Sequence, residues 1–67
     1  MIAGKVAEFD EHRGWGTVRA DAGPEHFFHC TAIADGSRTI GEGAPVRYRI
    51  VPGRLGRWEA AEIEPAG

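Results

Sequence analysis

Two short segments of the chain place aromatic side chains among glycines and histidines. The first reads Arg-Gly-Trp-Gly-Thr-Val over 13–18, and the second reads His-Phe-Phe-His-Cys over 26–30. A ring held at a protein surface can stack on a flat heterocycle such as a nucleic-acid base. Flanking glycines let such a flat group come close to the backbone. The same rings could instead cover a thin core or pack under a loop, and the strand pattern alone leaves both interpretations open.

The alternation of side chains along a β-strand predicts which of these residues share a surface. In the first segment, Trp15 falls on the face opposite Val18. In the second, Phe27 and His29 fall on the face opposite Phe28. With Val18 and Phe28 in the core, the three remaining rings stand together on the outside of neighbouring strands.

Turn signals divide the chain into short β-prone runs, and no segment has the apolar periodicity of a long helix. The runs cover 2–9, 15–20, 25–30, 45–51 and 57–64, with one helical turn at 31–34. Glycines in or beside the first two runs are typical of bulges and tight barrel bends. The pattern predicts an all-β protein, a five-stranded antiparallel OB-fold barrel with a short helical turn after strand three.

Composition narrows the class of protein further. We expect the 67 residues, which carry a net charge of −2, to form a single domain over 1–67. The single cysteine, Cys30, excludes an internal disulfide and a four-cysteine zinc site. No apolar run is long enough to span a membrane, and no signal peptide is recognisable at the N-terminus. We therefore expect a cytoplasmic protein with no membrane partner.

Neither metal binding nor catalysis is indicated. His26 and Cys30 share a face of the third run, but His29 points the other way. Two ligands do not complete a tetrahedral site. The carboxylates near the turns are not paired as acid and base across a cleft. The sequence predicts a protein that is not an enzyme and that needs no cofactor and no metal.

Ordered motifs along almost the whole chain resemble the bacterial cold-shock domain. The matching positions are Gly4, Lys5, Val6 and Phe9; Arg13, Gly14, Trp15 and Gly16; Phe27, His29, Ala32 and Ile33; Arg38, Thr39, Ile40, Glu42 and Gly43; and Ala60 and Ala61. The family is a five-stranded OB-type barrel that binds single-stranded RNA and DNA through aromatics on strands two and three. Its members act as RNA chaperones and as cold- or stress-linked regulators of transcription and translation. The resemblance implies the same fold and partners for this chain.

The chain departs from the family pattern at four stacking positions. Residues without an aromatic ring occupy them: Glu8, Thr17, Cys30 and Ser37. If each missing stack is worth only about 1 kcal/mol, affinity falls roughly a thousandfold relative to a typical member. The carboxylate of Glu8 also repels phosphate. The sequence therefore predicts weak binding with little sequence preference.

The candidate binding residues are rings and cations. The predicted stacking residues are Trp15, Phe27 and His29, together with Phe9, which by strict alternation shares a face with Lys5 but could instead cap the barrel end. The predicted phosphate partners are Lys5, Arg13 and Arg38. Further candidates are Thr17 and Trp58, the latter beside Arg54 and Arg57.

A second function stays open beside nucleic-acid binding. On the same barrel, the altered stacking positions could form a binding face for a protein partner. Trp15 and Trp58 would then be its anchors, since tryptophan is enriched at interaction hot spots.

Overall fold

The computed structural model describes residues 1–37, 39–53 and 56–66, so the candidates Arg38 and Arg54 lie outside the described residues. Five strands and one 3-10 turn follow one another along the chain. They are β1 (Ile2–Asp10), β2 (Trp15–Ala20), β3 (Glu25–His29), the 3-10 turn (Cys30–Ala32), β4 (Pro45–Pro52) and β5 (Trp58–Pro65). The predicted elements are confirmed, with ends that differ by one or two residues.

The strands close into a barrel in the order β1-β2-β3-β5-β4. Four of the neighbouring pairs are antiparallel, and β3 runs parallel to β5, meeting it where Phe27 pairs with Glu59. Beyond the 3-10 turn, Ile33 bridges to Ile63, and the Ala34 N–H donates to the Ile63 carbonyl at 2.8 Å. The predicted five-stranded OB barrel is confirmed, with the difference that its closing seam is parallel.

Apolar side chains from all five strands fill the barrel. The buried set is Val6, Val18, Ala20, Phe28, Ile33, Val46, Tyr48, Ala60 and Ile63. The Tyr48 hydroxyl is buried and has no hydrogen-bond partner in the part of the chain that the structure describes. Burial, reinforced by the negative charge of Asp21, raises the pKa of this phenol. Because Val18 and Phe28 point inward, the residues that alternate with them on β2 and β3 point outward.

A β-bulge interrupts β1. Val6 pairs with Val18 of β2, but the next paired residue, Glu8, lies opposite Thr17. Ala7 is therefore the extra residue of the bulge, and side-chain alternation is reset beyond it. As a result, Glu8 lies on the same outward face as Thr17.

The bulge also turns Phe9 towards the interior. Phe9 pairs with the buried Gly16, and its ring stacks on Phe28 with centroids 5.8 Å apart and planes 5° from parallel. The prediction that Phe9 shares a face with Lys5 is therefore wrong, because strict alternation does not hold across the extra residue. Phe9 packs against the core at the end of the barrel.

The hairpin between β1 and β2 depends on a glycine at its last position. Gly14 has a φ of +73°, in the left-handed region that favours glycine. Its N–H donates to the Asp10 carbonyl at 2.8 Å, and the Arg13 N–H donates to Asp10 Oδ1 at 3.1 Å. These bonds define where β2 begins, and Trp15 is its first residue.

At Gly16, β2 runs so close to β1 that a side chain does not fit. A Cβ there would overlap the Glu8 carbonyl oxygen and would lie 3.0 Å from Phe9 Cα and 3.1 Å from Phe28 Cζ. We expect Gly16→Ala to lower the free energy of unfolding, measured in urea, by about 1–3 kcal/mol. Gly41→Ala is the control, because no atom lies within 4 Å of its Cβ position, and its change should stay within about 0.5 kcal/mol. Equal losses for the two variants would contradict this close approach.

Within the described ranges, no helix has the length and apolar character needed to cross a membrane. In the same ranges, no group of three or more His, Cys, Asp or Glu side chains is placed to hold a metal ion. His26 is half-buried with its ring 6.2 Å from that of Tyr48, whereas His29 is exposed on the other face of β3. The opposite orientation predicted for these two histidines is therefore confirmed.

Candidate functional site

The pairing of β2 with β3 brings three aromatic side chains into contact on the outside of the barrel. Trp15 lies directly opposite His29, and Phe27 lies two pairs further along the ladder, opposite Thr17. The rings of Trp15 and Phe27 have centroids 5.6 Å apart and are tilted by 34°, and Phe27 meets His29 edge to face at 4.9 Å. We call Trp15, Phe27 and His29 the aromatic row. Their predicted common surface is confirmed.

The aromatic row lies outside the core and is partly open to solvent. Trp15 and Phe27 are half-buried and His29 is exposed, whereas Phe28 on the opposite face of β3 is fully buried. Contacts between aromatic rings contribute about 0.5–1.5 kcal/mol each beyond the area that they bury. These contacts hold the rings in place before any ligand arrives, so little side-chain ordering is needed on binding.

Carboxylates line one side of the aromatic row. A groove of about 490 Å³ next to Trp15 is bounded by Glu8, Phe9, Asp10, Glu11, Trp15 and Glu42. Three of these carboxylates accept hydrogen bonds. The donors are the Arg13 N–H to Asp10 at 3.1 Å, the Thr39 hydroxyl to Glu11 at 2.7 Å and the Phe9 N–H to Glu42 at 3.4 Å. A phosphate entering this groove would be repelled by four negative charges, so a nucleic-acid backbone is disfavoured there.

Cations lie on both sides of the aromatic row, and they differ in whether a nearby carboxylate already pairs with them. Lys5 is exposed on the outer face opposite Arg19, and within the described ranges it makes no ion pair. Arg13 has its Nε 3.7 Å from Asp10 Oδ2, with both side chains largely exposed. An exposed pair of this kind is weak, so the guanidinium of Arg13 can exchange its partner for a phosphate.

Arg19 is a cation of this outer face that the sequence pattern did not single out. It lies four residues after Trp15 on an unbroken strand. An even spacing puts both side chains on the same face, so the sequence pattern could have identified Arg19 as an outer-face cation. Its guanidinium donates to Glu25 Oε2 from Nη2 at 2.6 Å and from Nε at 3.1 Å. The local pair neutralises much of its charge, which leaves Lys5 as the less engaged cation of the two.

The remaining candidates lie apart from the aromatic row or are covered. Thr17 lies between Glu8 and Phe27 on the outer face, but its Oγ1 is shielded from solvent and has no hydrogen-bond partner among the described residues. Trp58 begins β5, pairs with Pro52 of β4 and is 59% exposed. Trp58 and its neighbour Arg57, which the sequence suggested as a further binding group with Arg54, are both exposed and open to a partner.

A closed OB-type barrel with aromatic side chains on the outer face of β2 and β3 defines the class of nucleic-acid-binding OB-fold proteins. The model of the family described as the 'Cold-shock' DNA-binding domain matches residues 2–66. The chain belongs to the cold-shock domain family.

Individual relatives agree with this membership. Cold shock protein CspB of Bacillus caldolyticus is 39% identical over 57 residues, which are 84% of this chain and 86% of the relative. A cold shock-like protein of Thermotoga maritima is 39% identical over 64 residues, 94% of this chain and 96% of the relative. Among solved structures, drosophila Unr CSD456 superposes with a TM-score of 0.78 at 27% identity, covering 98% of this chain and 26% of that longer one.

Proposed function

We propose that this cold-shock protein binds single-stranded RNA or DNA by stacking bases on the aromatic row. The observation that carries the proposal is the contact of Trp15, Phe27 and His29 in one half-exposed group on the barrel wall. Each stacked base contributes about 1–3 kcal/mol, and any base can stack because every base has a π-face. Stacking alone therefore gives binding that tolerates many sequences.

The partner is single-stranded because stacking requires free base faces. In a duplex those faces are covered by neighbouring base pairs and cannot stack on the aromatic row. The sugar-phosphate backbone of the bound nucleic acid runs past two cations of the outer face, Lys5 and Arg13. Arg38 is the third predicted phosphate partner.

The charge distribution supports weak binding. Glu8 stands on the outer face in place of the family's aromatic residue, and the groove beside Trp15 is acidic. Both features reduce the attraction for phosphate that the cations provide. The protein then holds unpaired segments only transiently, which suits an RNA chaperone that opposes re-pairing. We propose this role in the cytoplasm, with effects on transcription or translation that follow from the state of the RNA.

The test is a fluorescence titration with a short oligothymidine. In a Trp58→Phe background, Trp15 is the only tryptophan, so its quenching reports stacking on the aromatic row. We expect saturable quenching whose affinity falls with salt. Two or three phosphate contacts predict a log–log slope of about −1.4 to −2.1.

The matched control keeps Trp58 and replaces Trp15 by phenylalanine. Its emission should change little, because Trp58 lies outside the aromatic row. A flat signal from Trp15 up to millimolar oligothymidine would contradict the proposal. That result would favour the alternative, a protein-interaction module anchored by Trp15 and Trp58.

A further inference from the structure

The bulge in β1 gives the aromatic row a carboxylate neighbour. Glu8 pairs with Thr17, and Thr17 pairs with Phe27, so the three residues form one line across the outer face of β1, β2 and β3. Two strand spacings separate the backbones of Glu8 and Phe27 by about 10 Å. Only the short side chain of Thr17 lies between them. An extended Glu8 side chain and a base stacked on Phe27 together span this distance.

Glu8 differs from the other carboxylates near the row because its oxygens are not engaged. Asp10 accepts from the Arg13 N–H, Glu11 from Thr39, and Glu42 from the Phe9 N–H. Glu8 is exposed and makes no hydrogen bond or ion pair with any described residue. Its carboxylate is therefore available to accept a hydrogen bond from a ligand.

An ionised carboxylate only accepts hydrogen bonds, so it distinguishes bases by their donors. Cytosine, adenine and guanine each carry an exocyclic amino group, and acidic side chains accept from the cytosine amino group in known interfaces. Uracil and thymine present a carbonyl oxygen at the position where cytosine has its amino group, and two acceptors facing each other repel. Their remaining donor, N3–H, lies between two carbonyl oxygens that repel an approaching carboxylate.

We propose that Glu8 gives the site over Phe27 a preference for bases with an exocyclic amino group over uracil and thymine. The inference rests on the proposed function, since it needs a base stacked on Phe27. It adds a modest base preference to stacking that otherwise tolerates many sequences. Glu8, which stands where the family carries an aromatic ring, sets this preference.

The test compares two ribonucleotide heptamers, oligocytidylate and oligouridylate, at pH 7.5 and low salt. Their bases differ in the C4 substituent and the N3 proton, while their phosphates are the same. The ratio of the two dissociation constants therefore cancels the repulsion between Glu8 and the backbone. We expect the cytidine heptamer to bind about two- to tenfold more tightly, the range for one net hydrogen bond.

Glu8→Gln isolates the role of the carboxylate. An amide both donates and accepts, so it serves either base. We expect both heptamers to bind more tightly to this variant because a negative charge is lost, with a ratio close to one. Glu64→Gln is the control, because it removes the same charge from a position opposite Arg47, five residues beyond Glu59 on β5, and should leave the ratio as in the wild type.

The outcomes separate the two proposals. Equal binding of the heptamers, a preference for uridine, or a cytidine preference that persists in Glu8→Gln would each overturn the role of Glu8 while leaving the proposed function intact. If neither heptamer quenches Trp15 at low salt, the proposed function itself fails, and this inference fails with it.

Discussion

Replacing Phe27 by alanine is expected to weaken binding of a short oligothymidine by about ten- to a hundredfold. Phe27 is the centre of the aromatic row, with Trp15 at 5.6 Å on one side and His29 at 4.9 Å on the other. Its removal deletes one stacking platform, worth about 1–3 kcal/mol, and leaves both neighbouring rings without the contact that orients them. Fluorescence anisotropy of a labelled oligonucleotide measures the loss without relying on tryptophan emission.

Ile50→Ala is the control for the Phe27 variant. Ile50 is another half-buried apolar residue, but it lies on β4, which adjoins neither β2 nor β3 in the barrel. Because Ile50 packs against the core, we expect this variant to lose some stability. Its affinity should stay within about twofold of the wild type, because distant sites with no shared partners couple by less than about 0.5 kcal/mol. An equal loss in both variants would mean that binding follows stability, and no loss in the Phe27 variant would place the ligand elsewhere.

Replacing the adjacent residue, Phe28, by alanine is expected to have its main effect on folding. The Phe28 side chain is fully buried and stacks on Phe9 at the end of the barrel. Truncating a buried phenylalanine lowers the free energy of unfolding by about 3–5 kcal/mol. A single core in a chain this short rarely supplies more than about 3–5 kcal/mol of stability. We therefore expect a large unfolded fraction at 25 °C, measured by circular dichroism and by urea denaturation.

Phe27 and Phe28 provide the sharpest comparison in the chain. The chemical change to alanine is the same, the positions are consecutive, and only the face of β3 differs. The Phe27 variant should keep a cooperative urea transition and lose affinity, whereas the Phe28 variant should lose the transition. Similar denaturation midpoints for the two variants would contradict the assignment of the two faces.

Local patterns were sufficient to predict β2 and β3 and the surfaces that they present. Both strands are regular, so the period of two between successive residues holds along their whole length. Polar and glycine-rich turns mark their ends, and Val18, Ala20 and Phe28 face the core. The common surface of Trp15, Phe27 and His29 follows from these short-range features, and their contacts in the barrel agree with it.

The end of β1 was not predictable in the same way. A bulge at Ala7 is required by how β1 pairs with β2, and nothing in the run from Ile2 to Phe9 marks which residue is extra. The shift by one residue turns Phe9 into the core, against the face predicted for it. The same shift puts Glu8 on the outer face, where the resemblance to the cold-shock domain had placed it. The acidic groove is equally non-local, since Glu42 meets Phe9 from 33 positions along the chain.

By itself, then, the sequence determined the number and order of strands, the class of barrel and the three rings on which the proposed binding depends. It did so because strand alternation, turn residues and family motifs are local properties. The tertiary structure alone decided the parallel seam between β3 and β5, the bulge at Ala7 and the inward position of Phe9. Those features arise only when the strands pair and close, because register and bulges depend on contacts between segments that are distant in the chain.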